Sequence, residues 1–250
     1  MFTKAIRRLL SKSPVVYEIG ATIKLIWLRL YYSGGDVIAA ISLIKSKNGL
    51  ALDIGANRAQ SAVRMLKLKP GFKVISFEPN KKCVFSLKIA KVILGSSFHY
   101  ELFGLSDKSG ERTYYEPYVN SLAVAAEGTF CPENLDESLE KRIGHYEIRK
   151  STFSTRTLDE LNLSPIFLKI DVQGAELDVL RGARNTIIRC KPIIVVEKNA
   201  HNEEQTKLYL EDLGYVAISS ATATEAGVGL GDLAGDNVFV IKTDLSTPSS

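Results

Sequence analysis

The chain has 250 residues, 45% of them hydrophobic and 24% charged, with 18 glycines and 8 prolines, values that exclude wholesale disorder, a repeat fibre and a stapled mini-protein. Its cysteines, Cys83, Cys131 and Cys190, are odd in number and lack CxxC or Cys/His spacing, which argues against a disulfide framework and a structural zinc site and for a reducing, cytoplasmic setting. The net charge of +4 is unevenly placed, with +6 on residues 1–50 and −2 on residues 51–250, so no basic groove for nucleic acid is expected on the main domain.

Residues 1–48 read as an amphipathic helical segment. Phe2, Ile6, Leu9 and Leu10 share a helical face, with Lys4, Arg7, Arg8 and Lys12 on the others. Two readings stay open for it: a cap docked on the domain, or a contact of residues 1–31 with an anionic membrane surface. No signal peptide is expected. The longest uncharged stretch, 213–224, is only twelve residues, and a membrane span needs about 18 or more.

From residue 49 to 243 short apolar runs alternate with helical patterns. The spacing predicts strands over 50–54, 73–77, 98–105, 166–172, 193–197, 215–219 and 237–242, and helices over 58–68, 80–94, 175–189 and 202–213. This is the rhythm of an α/β fold, a seven-stranded and mostly parallel sheet with helices on both faces. Residues 108–160 break the rhythm and read as an insertion between the third and fourth strands, on the substrate side. Residues 244–250 are a polar tail.

In such a sheet ligands bind beyond the carboxyl ends of the strands, where the strand order reverses. The strand ends here are acidic: Asp53 closes the first and Glu78 the second, 25 residues on. An acid at that distance is where nucleotide-binding domains place the carboxylate that accepts ribose hydroxyls. The first turn, however, contains Gly55 as its sole glycine, so the G-x-G-x-x-G cradle for a pyrophosphate is missing. The match at Gly229, Gly231 and Ala234 precedes a strand instead of opening a helix. A nicotinamide oxidoreductase is therefore disfavoured, and a nucleoside ligand without pyrophosphate is expected, S-adenosylmethionine being the commonest.

The motifs DIGAN (53–57), FEPN (77–80), LSD (105–107), TLDEL (157–161), FLKIDVQGAE (167–176) followed by VLRGA, and IIVVE (193–197), in that order, resemble an FkbM-type class I methyltransferase of Rossmann-like fold. Ala59 stands where that family usually carries a second glycine, and Gln173 where it often carries glutamate. The resemblance implies that Asp53, Gly55 and Asn57 hold the methionyl end of S-adenosylmethionine, that Glu78 grips the ribose, and that Ser106 and Asp107 lie by the adenine.

Methyl transfer from a sulfonium to a hydroxyl is an in-line displacement that needs alignment and removal of a proton. Asp171, at the end of the fourth strand and beside the cofactor, is the first candidate base and His201 the second. Lys169, which shares the face of Asp171, is a further catalytic candidate, while Glu176 and Glu197 are candidate substrate-binding residues. No metal is expected. The implied acceptor is a small molecule or glycan, such as a deoxyhexose of a lipid-linked oligosaccharide. The alternatives are a polyketide hydroxyl and a catalytically decayed nucleoside-binding protein. Tyr114, Tyr115, Tyr118, His145 and Tyr146 of the insertion suit sugar stacking.

Overall fold

The computed structural model describes residues 20, 23, 36–119, 122–124, 128–135, 137–198, 202–218 and 236–241. Beyond positions 20 and 23, the expectations for residues 1–31 lie outside these residues, as do those for His201, the 229–234 loop and the polar tail. In chain order the elements are α1 (Asp36–Ser42), β1 (Asn48–Ile54), α2 (Gln60–Leu68), β2 (Gly71–Phe77), α3 (Val84–Leu94), β3 (Phe98–Glu101), β4 (Gly104–Leu105), β5 (Gly110–Val119) and β6 (Leu122–Ala123). There follow α4 (Glu137–Ile143), β7 (Glu147–Arg156), β8 (Phe167–Ile170), α5 (Glu176–Gly182), α6 (Arg184–Cys190), β9 (Ile193–Glu197), α7 (Glu203–Asp212), β10 (Tyr215–Ile218) and β11 (Asp236–Ile241).

Seven strands form one sheet in the order β3-β2-β1-β8-β9-β11-β10. The five from β3 to β9 are parallel, and β11 runs antiparallel to both its neighbours. Alternation along the central strands feeds two apolar layers, as expected for a sheet covered on both faces. Ala51 and Phe167 pack with Ile41, Met65 and Leu87 of α1, α2 and α3. Leu52, Ile54 and Ile170 pack on the opposite face with Val179, Leu180 and Ile187 of α5 and α6. The strand order reverses between β1 and β8, and that is where a ligand crevice is expected. Among the described residues no helix is long and apolar enough to cross a membrane.

The strands and helices predicted from residue 49 on are all present, with four corrections that have local causes. The third strand stops at Glu101, and residues 104–105 join a second sheet of order β4-β7-β5-β6, so the insertion is itself a twisted hairpin layer that begins slightly before residue 108. The first turn delays α2 to Gln60 because Gly55, Asn57 and Ala59 all take positive φ, of 77°, 50° and 62°. The helix predicted over 80–94 opens as a 3₁₀ turn over Lys81–Cys83 before α3.

The single helix predicted over 175–189 is two. Asp159, of the TLDEL motif, accepts the N–H groups of Asn185 (3.0 Å) and Thr186 (2.7 Å), ending one helix and capping the start of the next. At the same break an added Cβ on Gly182 would stand 1.9 Å from the Ser106 carbonyl oxygen, so only glycine lets α5 approach the 105–107 turn this closely.

Candidate active site

Two consecutive rows of side chains cross the centre of the sheet on one face. Register places Asp53 of β1 between Ser76 of β2 and Lys169 of β8. Two residues on, and therefore on the same face, come Glu78, Gly55, Asp171 and Glu197. The backbone carries the ladder into this second row: the N–H groups of Gly55 and Ala56 both donate to the Phe77 carbonyl (3.0 and 3.1 Å), and that of Asp171 donates to Ile54 (3.0 Å). The rows lie at the order reversal, the place where a sheet of this kind takes its ligand.

The inner row is a buried ion cluster. Asp53 is wholly buried and accepts from the Ser76 hydroxyl (3.3 Å). Lys169, also buried, sits with its Nζ 3.5 Å from Asp53 Oδ1, 2.9 Å from Asp171 Oδ2 and 3.4 Å from the Gly55 carbonyl oxygen. Burial pulls the Lys169 ammonium down, yet the carboxylates of Asp171 and Asp53 outweigh it and hold its pKa above the ordinary lysine range. Burial raises Asp53, against the opposing pull of Lys169.

Glu78 sits at the other end of the outer row, 8% exposed. Its two oxygens accept the backbone N–H groups of Asn57 (2.7 Å) and Asn80 (2.8 Å), tying the first turn to the end of β2. Burial pushes it up to about 7 although those two N–H groups pull it down. Glu197, at the end of β9, is pushed up to about 8 by burial and by its hydrogen bond to Asp171. Burial would also raise Asp171, but the Lys169 charge and the hydrogen bonds it receives hold it below the ordinary carboxylate range.

These shifts fix the sign of a stability profile. Glu78 and Glu197 have folded-state pKa values above their unfolded ones, so the stability they contribute is complete below about pH 4.5 and is lost as pH rises through about 7 and 8. Asp171 is ionised in both states over that window and adds no slope. For Glu78 the loss is on the order of 3 kcal/mol, at 1.36 kcal/mol per unit. The thermal midpoint is expected to fall from pH 5 to pH 8, and to fall less in Glu78→Gln. A flat wild-type profile would show that neither carboxyl is protonated in the fold.

The loop after β8 turns through Gln173 (φ 56°) and Gly174 (φ 100°). Glu176, expected at the acceptor, is instead wholly buried beneath this loop: it accepts the N–H groups of Val172 (3.2 Å) and Gly174 (3.0 Å) and the Asn202 amide (2.8 Å). Its role is to shape the turn, because it is wholly buried there with both oxygens bonded. The insertion grips the same loop from the other side. The Gln173 carbonyl accepts the Thr129 hydroxyl (2.7 Å), and the Gly174 carbonyl accepts the Cys131 thiol (3.1 Å).

Ser106 is buried, receives Arg112 (2.9 Å) and donates to Asp107 (3.1 Å), which is exposed. Arg112 also pairs with Asp178 of α5. Ser106 thus positions the turn, and Asp107 is its open group. Ala59, in the left-handed region, is fully buried in the apolar layer with α2. The conformation accounts for the glycine usual at that place, and the methyl lies in the core. Of the insertion tyrosines, Tyr114 packs on Phe130 and Phe153 at ring distances of 5.0 and 5.5 Å. Tyr115 and Tyr118 lie under Lys150 (5.4 Å) and Arg149 (4.0 Å), while His145 is exposed beside Glu140. The sequence reading missed Gln173, Thr129 and Arg112 as structural parts of the site. Only their tertiary partners reveal them.

With this geometry in place, the family model described as the methyltransferase FkbM domain matches residues 53–217, from the acid of the first strand to the sixth. The chain belongs to the FkbM methyltransferase family. This FkbM chain is 26% identical over 163 residues to the 2-O-methyltransferase NoeI of Sinorhizobium fredii, across 60% of this chain and 64% of that protein. It is 24% identical over 188 residues to the AMB antimetabolite synthetase AmbE of Pseudomonas aeruginosa, across 65% of this chain and 9% of that protein. The crystal structure of an FkbM methyltransferase from Methylobacillus flagellatus superposes with a TM-score of 0.51 at 15% identity, across 90% of this chain and 59% of that one, and shows the shared fold. The chain spans less than two thirds of the length of each of these proteins.

Proposed function

We propose that this FkbM chain is an S-adenosylmethionine-dependent O-methyltransferase whose acceptor is a hydroxyl of a sugar in a glycan or glycolipid. The observation that carries the reading is the outer row Glu78–Gly55–Asp171–Glu197, in which a ribose-type acid and a carboxyl pair flank a turn too poor in glycine to cradle a pyrophosphate. NoeI carries the name of a 2-O-methyltransferase, which favours an oxygen acceptor here.

The residues fit the cofactor. Each Glu78 oxygen has taken one backbone N–H and keeps a further lone pair for a ribose hydroxyl. Asp53 and Asp171 outnumber Lys169 and make a surround suited to a sulfonium. When bound, S-adenosylmethionine supplies a methyl group on a cationic sulfur. Gly55 and Asn57 hold its methionyl end with Asp53 buried behind them, Asp107 borders the adenine from the turn that Ser106 anchors, and the insertion face with Tyr118 and Arg149 covers the acceptor. The chain's work is alignment, exclusion of water by the hairpin layer, and acceptance of one proton beside Asp171.

Calorimetry is expected to give binding of S-adenosylmethionine and its demethylated product, and none of NAD. Glu78→Ala is expected to weaken cofactor binding by about 1.5–3 kcal/mol, the usual worth of hydrogen bonds to a charged group. A Glu78→Ala protein that binds as tightly as wild type would remove the ribose assignment. Transfer of labelled methyl to a panel of glycans and polyketides then identifies the acceptor, and labelling of polyketides alone would overturn the sugar reading.

A further inference from the structure

Gln173 connects the two carboxyl groups of the outer row. Its Nε2 lies 3.1 Å from Asp171 Oδ1 and 3.0 Å from Glu197 Oε2. An amide NH₂ has two protons, and here each carboxyl receives one, which fixes the amide's orientation because its oxygen could satisfy neither. The backbone of the same residue is pinned by the Thr129 hydroxyl and the Phe130 N–H on its carbonyl. Gln173 is therefore a clip that holds Asp171 and Glu197 on one amide group.

The pair is asymmetric. Lys169 Nζ contacts Asp171 at 2.9 Å and has Asp53 behind it, whereas Glu197, among the described residues, accepts the N–H of the clip and has no ammonium at that distance. Among the described residues, Lys169 at longer range and Glu176 from α5 also act on Glu197, and position 236 stands opposite it in the β9–β11 register. A carboxylate bonded to a buried ammonium is a poor proton acceptor, because protonation would leave that cation uncompensated. A proton reaching the pair settles on Glu197.

We propose that Glu197, clipped to Asp171 by Gln173, is the catalytic base of the transfer, while Asp171 stays ionised on Lys169 as a positioning residue. The assignment rests on the methyl-transfer reading above. The acceptor oxygen forms its bond to the methyl carbon as the carbon–sulfur bond breaks and its electron pair remains on sulfur. The hydroxyl proton passes to the ionised Glu197 carboxylate and is later released to water. The reactive form is thus the one in which Glu197 has lost its proton, and turnover rises with pH through that ionisation.

Glu197→Gln mimics the protonated carboxyl, since its amide can donate to Asp171 and its oxygen can accept from Gln173. It is expected to keep cofactor affinity within about threefold and to lose turnover by about 10²–10⁴, the range for a positioned base. Gln173→Glu replaces the shared donor with a third acid and is expected to move the rising limb of the pH–rate profile to higher pH. A readout free of turnover is the ¹³C carboxyl shift of Glu197 in the protein alone, assigned by its loss in Glu197→Gln. It is expected to titrate well above the ordinary glutamate range. Turnover in Glu197→Gln within threefold of wild type, or titration of Glu197 near the ordinary value of about 4.3, overturns the proposal alone. Wild-type protein that binds no S-adenosylmethionine overturns the methyl-transfer reading, and the base assignment with it.

Discussion

Replacing Gly55 by alanine is expected to cost the fold about 2–5 kcal/mol and to abolish cofactor binding at ambient temperature. Gly55 has φ +77°, and a Cβ placed on it would stand 1.7 Å from the carbonyl oxygen of Asp171 and 2.7 Å from its carbonyl carbon. Both obstacles are backbone, so β1 and β8 would have to part at the point where they carry the site. The left-handed conformation accounts for about 1–2 kcal/mol of the loss and the displaced backbone for about 1–3 kcal/mol. Gly95 is the control: its φ is +62°, but an added Cβ there meets nothing within 4 Å. Denaturant unfolding of the two alanine variants separates conformational strain from steric overlap. If Gly55→Ala loses no more than Gly95→Ala, the close approach of the two strands is wrong.

Lys169→Met is expected to destabilise the protein by about 3–5 kcal/mol at pH 7, the range for breaking a buried ion pair by removing one partner. The reason lies in what remains. Asp53 has no exposed surface and would keep only the Ser76 hydroxyl, while Asp171 would lose its 2.9 Å partner. The deficit is expected to shrink on acidification, because an unpaired buried carboxylate can take up a proton and shed its desolvation cost. A chemical denaturation series from pH 7 to pH 4 measures this. A deficit that stays constant with pH would mean that the lysine matters through the packing of its aliphatic stem and not through its charge.

Much of this site is legible in the chain before it folds. A strand places every second residue on one face, so Asp53 with Gly55, and Lys169 with Asp171, are paired by spacing alone. The acids at 53 and 78 and the single glycine of the first turn raise the expectation of a nucleoside ligand without any coordinates. The strand and helix rhythm predicts the doubly covered sheet, and its seven strands are those observed.

Other features depend on which segments meet. Glu176 reads from sequence as an acid in a first helical turn near the site, but the Val172–Gly174 loop and Asn202 consume both its oxygens. Gln173 reads as a neutral variant in a motif, yet its amide joins two carboxyls 26 positions apart in the chain. The break between α5 and α6 follows from Asp159, a residue of a distant 3₁₀ turn that supplies the cap. The sequence by itself determined the sheet, the face on which the acids stand and the chemistry they can do, because side-chain alternation and residue type are local properties. Only the tertiary structure decided which carboxyl is held low by a cation, which is raised by burial and which is spent on a turn. Those outcomes depend on burial and on the nearest cation or N–H, and β1, β8 and β9 acquire these neighbours only when the sheet assembles.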